Sequence, residues 1–472
     1  MVSLTSVKCK NYNVSKMEEY DVLVVGSGAG MNIASRVIEE GLEVAVVDKD
    51  PIGGTCMNRG CVPSKVMIYP ADIIQEAREA ERLGVKFSDP DIDFHRIMER
   101  TRKSYLPNRK KMEDSVKNTE NLTFYNETGR FIDDYIMEVD GEKIKADKIF
   151  LFSGSRPIIP PIEGIDGIDY LTNRNIFDIS EKPESLIIIG GGYIGIEFAH
   201  FFSSVGTDVT VVELMDSLLP GLDSDITDLL EEKLSSRMNI LTGHKVTEVG
   251  EKDGEKFIIA ESSESEKEKE LTAESVLVAV GRRSNADLLE VENTGVETDE
   301  KGWIKVNDYL ETDKKNIWAG GDATGEYMFR HLANYDASVA WHNAFTDHKM
   351  KVDYHAVPYA VFTHPQIAGV GLGVEEAKKE HEILVTKGRY KDTARGYAMG
   401  DVEGFCKIII DANEGTILGA HIIGPQASVL IHEIINLMYA GDGSIDPLYD
   451  ALHIHPSLSE VVSWSLGNWE KL

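Results

Sequence analysis

The chain is poor in sulfur. Four cysteines stand in 472 residues, too few for the disulfide framework of a small secreted scaffold. No apolar run approaches the ~18 residues that a membrane-spanning helix needs. The first sixteen residues, MVSLTSVKCKNYNVSK, lack the apolar stretch of a signal peptide. They read as part of a frayed extension over 1–19, with Met17 a second candidate start and strand-like sequence from Tyr20. Positive charge is scarce too. Lys and Arg total 49 against 80 Asp and Glu, a net of −31, which disfavours nucleic acid and anionic membrane as partners. Such acidity fits a salty cytoplasm or simply a soluble surface, and it names no substrate. What remains is a globular composition, 42% apolar and 27% charged. The length allows about two to four domains with buried cores. Sparse cysteine and the lack of a leader point to the cytoplasm.

Glycine is placed where it has work to do. Residues 20–48, YDVLVVGSGAGMNIASRVIEEGLEVAVVD, read strand, glycine turn, helix, strand ending on an acid. Residues 186–213, LIIIGGGYIGIEFAHFFSSVGTDVTVVE, repeat that plan. Two copies predict two nucleotide-binding βαβ units. In the second, Gly190 permits the tight turn, Gly192 lets a pyrophosphate approach the backbone, and Gly195 lets helix pack on strand. Glu213 ends the next strand, where a carboxylate accepts from a ribose 2′-hydroxyl and repels a 2′-phosphate. The following LMDSLLP has no Arg or Lys for that phosphate, so the expected nicotinamide is NAD. In the first, Gly26 and Gly28 keep the turn and Asp48 supplies the acid. Met31 stands at the third glycine position, with Gly30 one place early, so the helix–strand contact must absorb a methionine.

Between and beyond these units the pattern changes. Residues 64–118 are helical in pattern, and ESSESEKEKE at 261–270 reads as a solvated loop between strands. VLVAV at 276–280 closes the second unit. Residues 351–472 alternate strand patterns with one helix, SVLIHEIINLMYAG, and carry no dinucleotide fingerprint. The expected fold is α/β, with two Rossmann-like dinucleotide-binding domains and a C-terminal α+β domain.

Half of the cysteine lies in GGTCMNRGCVPSK, residues 53–65. On a regular helix Cys56 and Cys61 would be too far apart for a disulfide. A bond between them needs an irregular turn, which Pro63 and the glycines at 53, 54 and 60 favour. A strained, accessible disulfide is the labile, catalytic kind. Zinc would need two further ligands, and no second CxxC or HxxxH stands nearby. A structural thiol pair is the bland alternative.

This segment, downstream of a strand–glycine–helix unit, resembles the redox motif of the FAD-dependent pyridine nucleotide–disulfide oxidoreductases. The resemblance runs from Tyr20 to the end of the chain. LFSGSRP at 151–157, GRRSNAD at 281–287 and TDKKNIWAGGDATG at 312–325 are similar to the family's interdomain link, its GRRPN segment and its second FAD motif. HIHPSLSE at 453–460 resembles its C-terminal HxHPTxxE. The resemblance implies that Cys56 is the interchange thiol that meets substrate. Cys61 would lie against the flavin, and Lys65 paired with Glu197 near the reactive flavin nitrogen. His455 would be the acid–base held by Glu460, reaching the site of the partner subunit in a homodimer. His453 would be a neighbour with no chemical role. FAD would be held by Gly26, Gly28, Gly30, Asp48, Lys49, Gly54, Thr55, Ser153, Gly154 and Asp322, and NAD by Gly190, Gly192, Tyr193, Gly195, Glu213 and Gly281. The domains implied are an FAD domain in two parts, 20–155 and 282–350, an NAD domain at 156–281, and a dimerisation domain at 351–472. No metal is implied.

Within the family, the C-terminus SWSLGNWEKL lacks the cysteine pair of mercuric reductase-like and large thioredoxin reductase-like members. Two active-site cysteines exclude the coenzyme A disulfide reductase pattern. CVPSK and Glu213 favour oxidation of dihydrolipoamide with NAD+, with a 2-oxoacid dehydrogenase complex as a further partner. Tyr193, placed where glutathione reductase-like members have a gating tyrosine, and HLANYDASVAWHNAF, similar to mycothione reductase-like members, favour the alternative. That alternative is reduction of a small-thiol disulfide of the glutathione, mycothione or bis-γ-glutamylcystine type.

Overall fold

The computed structural model describes residues 17–265, 267–400 and 402–472. The extension over 1–16, with Cys9, lies outside the described residues. Six helices position the motifs: α1 (Gly30–Glu39), α2 (Gly54–Arg59), α3 (Cys61–Glu79), α4 (Tyr193–Ser204), α5 (Arg330–Phe345) and α6 (Ala427–Tyr439). The chain divides into two compact units. One takes residues up to 54, 109–156 and 283–352; the other takes 55–108, 157–282 and 353–472. Residues 55–108 thus fall in the second unit, whereas the sequence reading keeps them with the first glycine turn.

The first unit is built on β1 (Met17–Val25), β2 (Val44–Val47), β3 (Leu122–Tyr125), β4 (Gly129–Asp133), β5 (Ile136–Val139) and β6 (Glu142–Leu151). Their order is β3-β2-β1-β6-β5-β4, and the strand Ile317–Ala319 pairs with β6. β1, β2, β3 and β6 run parallel. Both faces are covered, which is why these strands read as unbroken apolar runs. Val22 and Val24 pack with Ile33 and Val37 of α1 on one face, and Leu23 and Val25 with Ile149 and Leu151 on the other. β1 begins at Met17, three residues before the expected Tyr20. The added residues Met17–Glu19 continue the parallel pairing with Lys143–Lys145 of β6.

The second unit repeats the parallel design with β7 (Ser185–Ile189), β8 (Asp208–Val212) and β9 (Asn239–Leu241). An antiparallel insert follows, β10 (His244–Lys252), β11 (Glu255–Ser262) and β12 (Glu268–Ala273), and then β13 (Ser275–Val278) completes the order β9-β8-β7-β13. The charge run at 261–270 is therefore less loop than expected. Its ends are strand, and Glu268, Lys269 and Glu270 are exposed on the edge strand β12, where charge discourages further pairing. The helical pattern of 64–118 is likewise broken. Gly84, at φ +81°, ends the first stretch in a left-handed turn, and an exposed segment containing Pro90 precedes the helix Phe94–Lys117.

The C-terminal part of this unit is an antiparallel sheet of β14 (Pro358–Val361), β15 (Ile367–Gly371), β16 (Ile383–Arg389), β17 (Phe405–Asp411), β18 (Ile417–Ile423) and β19 (Glu470–Lys471), in the order β14-β15-β18-β17-β16-β19. α6 packs Ile431 and Ile434 onto it. Among the described residues no helix is long and apolar enough to cross a membrane.

Candidate active site

The cysteine segment is two helices interrupted at Gly60. α2 ends at Arg59 and α3 begins at Cys61. A Cβ on Gly60 would stand 3.0 Å from the Thr55 carbonyl oxygen and 3.3 Å from the Cys56 Cα, so a side chain there would force these neighbours to give by a few tenths of an ångström, and glycine lets the chain fold back this closely. The irregular turn expected for a Cys56–Cys61 contact is therefore present. Both residues are thiols in this structure, Cys61 the more exposed, and they are hydrogen-bonded to each other. That bond pulls the Cys61 pKa down to about 7, against the upward push of burial and with the Lys65 charge assisting. Lys65 follows one helical turn after Cys61 on α3.

Lys65 Nζ donates to both Glu197 oxygens, at 2.6 and 2.8 Å. Two features of Phe362 brace the pair. Its backbone N–H donates to Glu197 Oε1 at 3.1 Å, and its ring lies 4.7 Å from Lys65 Nζ, within cation–π range. Further along, His200 Nε2 meets Asp72 Oδ1 at 2.9 Å and Gln75 Nε2 donates to Ser204 Oγ at 2.8 Å. α3 and α4 are thus joined by successive polar rungs. Arg237 Nη1 donates to His200 Nδ1 at 3.0 Å, which assigns the imidazole proton to Nε2. Burial drives the His200 pKa down to about 4. The sequence reading missed Phe362, Asp72 and His200. FTHP is short, and the two helical residues carry no motif of their own.

His455 and Glu460 form a separate dyad. Nδ1 of His455 donates to Glu460 Oε1 at 2.7 Å, and Ser457 N donates to Oε2 at 3.0 Å. The histidine bond is the main cause holding Glu460 below the usual carboxylate range. The His455 side chain is 65% exposed while that of Glu460 is 4% exposed, so the ring is anchored from beneath and presents Nε2 outward. Among the described residues His455 hydrogen-bonds Glu460 and not the cysteines. The neighbouring His453 is held separately, with its Nε2 2.7 Å from Glu433 Oε1 on α6.

The glycine turns are shaped for backbone approach. Gly26 has φ +104°, and a Cβ there would strike the Phe152 carbonyl oxygen. Gly30 makes the close helix–strand contact, since its Cβ would stand 2.6 Å from Val24 Cγ1. Met31 is instead half-buried beside the core, so the methionine is not forced against the strand as expected. Gly54 packs directly on Gly28. Asp48 Oδ2 accepts from Ser27 N and Oγ at 2.7 and 2.6 Å, and burial pushes its pKa up. Ser153, beside Gly26, has a buried Oγ with no hydrogen-bond partner. Ser155 Oγ donates to Asp322 Oδ2 at 2.6 Å. Bare turn amides, a ribose-type acid and an orphaned hydroxyl suit a dinucleotide cofactor. Gly154, Lys49 and Thr55 lie in the segments that border these residues.

At the second turn Gly190 has φ +111° and abuts the Ala279 carbonyl, Gly195 abuts that of Gly190, and Gly192 has open space before it. Glu213 accepts from Gly191 N at 2.5 Å and from Met215 N at 2.8 Å. Tyr193 opens α4 with its ring 6.0 Å from that of Tyr359. Gly281, at φ +130°, accepts from Ile158 N at 3.0 Å. Among the described residues no group of three or more His, Cys, Asp or Glu is placed to hold a metal.

Comparison with known proteins gives the family of the chain. Residues 20–344 match the pyridine nucleotide-disulphide oxidoreductase family, and residues 357–466 match its dimerisation domain. The chain is 34% identical to mycothione reductase of Mycobacterium tuberculosis over 95% of its own length and 99% of the relative's. It is 32% identical to dihydrolipoyl dehydrogenase of Chlamydia pneumoniae over 95% and 96%, and 33% identical to dihydrolipoyl dehydrogenase 2 of Haloarcula marismortui over 94% and 95%. The HOCl-induced flavoprotein disulfide reductase RclA of Escherichia coli superposes with a TM-score of 0.84 at 28% identity, over 95% of this chain and all of that one. The chain belongs to the class I pyridine nucleotide-disulfide oxidoreductases. It is a flavoprotein disulfide oxidoreductase with a dimerisation domain.

Proposed function

We propose that this protein oxidises dihydrolipoamide with NAD+, using Cys56 and Cys61 as a redox pair, FAD as the bound carrier and a homodimer as the working form. The observation that carries the redox role is the Cys56–Cys61 contact, with the Cys61 pKa near 7 and Lys65 one turn away. FAD would sit on the Gly26–Gly28 turn with Asp48, Ser153 and Asp322, and NAD on the Gly190–Gly192 turn with Glu213.

In the oxidised enzyme the two cysteines form a disulfide. His455 Nε2, left as an acceptor by the Nδ1–H···Glu460 bond, takes a proton from one substrate thiol. The substrate thiolate attacks Cys56 Sγ, the Cys56–Cys61 bond breaks, and Cys61 leaves as a thiolate. A leaving thiol of pKa near 7 departs readily. The second substrate thiol attacks the substrate sulfur of the mixed disulfide, the bond from that sulfur to Cys56 Sγ breaks, and its proton passes to the departing Cys56, which releases lipoamide and a reduced Cys56. FAD held by the Gly26–Gly28 turn, Asp48, Ser153 and Asp322 would supply two-electron transfer from the reduced cysteine pair to NAD+. The Lys65 ammonium, fixed by Glu197, holds positive charge where negative charge develops.

Glu213 supports NAD rather than NADP, because a 2′-phosphate would bring like charges together. One observation favours a second reading. Tyr193 at the α4 N-terminus and the mycothione reductase relative fit a reductase of a small-thiol disulfide, running the same cysteine chemistry in reverse. Steady-state turnover with lipoamide, glutathione disulfide, mycothione and bis-γ-glutamylcystine, each with NAD(H) and NADP(H), decides between them. Dihydrolipoamide with NAD+ should give the highest kcat/KM; preference for another disulfide by tenfold or more would reject the first reading.

A further inference from the structure

The first glycine turn has a cation that its motif does not contain. α1 and α5 lie side by side in matching steps of four. Asn32 Nδ2 donates to Asn334 Oδ1 at 3.1 Å, and Arg36 Nη2 donates to Ser338 Oγ at 3.4 Å. One step earlier in the same register, Arg330 Nη1 lies 3.4 Å from where a Cβ on Gly28 would stand. The two helices therefore run parallel, and the first residue of α5 sends its side chain over the turn.

Arg330 is half-buried. Among the described residues no carboxylate pairs with it and no acceptor takes a hydrogen bond from its guanidinium. That is unusual in a chain with 80 acidic residues and a net charge of −31. Neither α1 nor α5 has an acid in its first turn or a side-chain cap. The acid nearest in the motif, Asp48, is turned onto the amides of Ser27 and Asp50 and the Ser27 hydroxyl. The surroundings thus exclude internal anions from a place where a guanidinium fork and bare turn amides meet. That combination suits a phosphate, which arginine engages bidentately.

We infer that Arg330 binds the pyrophosphate of FAD over the Gly26–Gly28 turn. The inference rests on the reading of this turn as the FAD site.

The test uses purified holoenzyme. FAD dissociation is followed by the rise in flavin fluorescence on dilution, at low and at high salt. Arg330→Gln should weaken FAD binding ~10–100-fold at low salt and reduce the salt dependence of the affinity, because one phosphate-facing charge is gone. Arg330→Lys should restore most of both. Wild-type affinity in Arg330→Gln, or a loss with the wild-type salt dependence unchanged, would overturn the inference. A second measurement needs no variant. Phenylglyoxal labelling with peptide mapping should modify Arg330 after FAD release and spare it in the holoenzyme; equal labelling in both would also overturn it. A wild-type protein that carries no FAD would fail the underlying reading instead, which separates the two.

Discussion

Cys61 owes its lowered pKa to neighbours that can be removed one at a time. A thiol of pKa near 7 becomes thiolate as the pH rises through 7, two units below an ordinary cysteine near 9. Alkylation of Cys61 in the reduced protein should therefore rise with a midpoint near pH 7. Lys65→Met removes an assisting positive charge and should move that midpoint upward. Phe362→Leu keeps the backbone bond to Glu197 but removes the ring beneath the ammonium, and should produce a smaller shift in the same direction. Iodoacetamide labelling across pH 5–10, read at the Cys61 peptide, checks both. A midpoint indifferent to Lys65 would show that the ion pair does not act on the thiol. Glu213 offers a second test at this scale. A carboxylate facing a 2′-phosphate should cost on the order of a hundredfold in kcat/KM. Comparable efficiency with NAD and NADP would contradict its assignment.

The elements show what could be read from the chain and what could not. The glycine turns were legible because φ values above +100° at Gly26 and Gly190 admit little but glycine, and their spacing places them between strand and helix. The cysteine turn was legible for a different reason: Gly60 has φ −146°, and its glycine matters because a Cβ there would crowd the Thr55 carbonyl oxygen and the Cys56 Cα. Phe362 and His200 were not, because their roles arise only when β14 and α4 are packed near α3. Met31 misled, since the alignment of glycines by spacing alone does not say which residue faces the strand. His200 makes a prediction about the α3–α4 pair. Its folded pKa is near 4, against 6.5 for an ordinary histidine. Between those values the unfolded chain binds a proton that the folded chain does not. Stability should thus be fully present above pH 6.5 and fall as the pH drops toward 4, by on the order of 1–3 kcal/mol from this residue. Thermal midpoints at pH 7 and pH 5 should converge in His200→Gln relative to wild type. An identical acid-side loss in the variant would remove His200 as its cause.

At the scale of the molecule, the dimerisation domain gives the exposed C-terminal dyad its meaning. Among the described residues Leu452 and Ile454 are two of the most exposed apolar side chains, and they flank His453 just before His455. If His455 serves the partner's cysteines, neither copy alone has a complete centre. His455→Ala should cost ~10²–10⁴-fold in turnover. A heterodimer of His455→Ala with Cys56→Ser concentrates both defects in one site, and should recover about half of wild-type activity. No recovery in verified heterodimers would return His455 to its own subunit. All of this presumes that Cys56 and Cys61 carry the electrons. The most direct measurement is thiol labelling of the oxidised holoenzyme under anaerobic conditions, before and after one equivalent of NADH, with peptide mapping of residues 53–65. Both cysteines should be protected beforehand, and NADH should expose two thiols in that peptide and none at Cys406. NADH that bleaches the bound flavin but leaves Cys56 and Cys61 as they were would contradict the account.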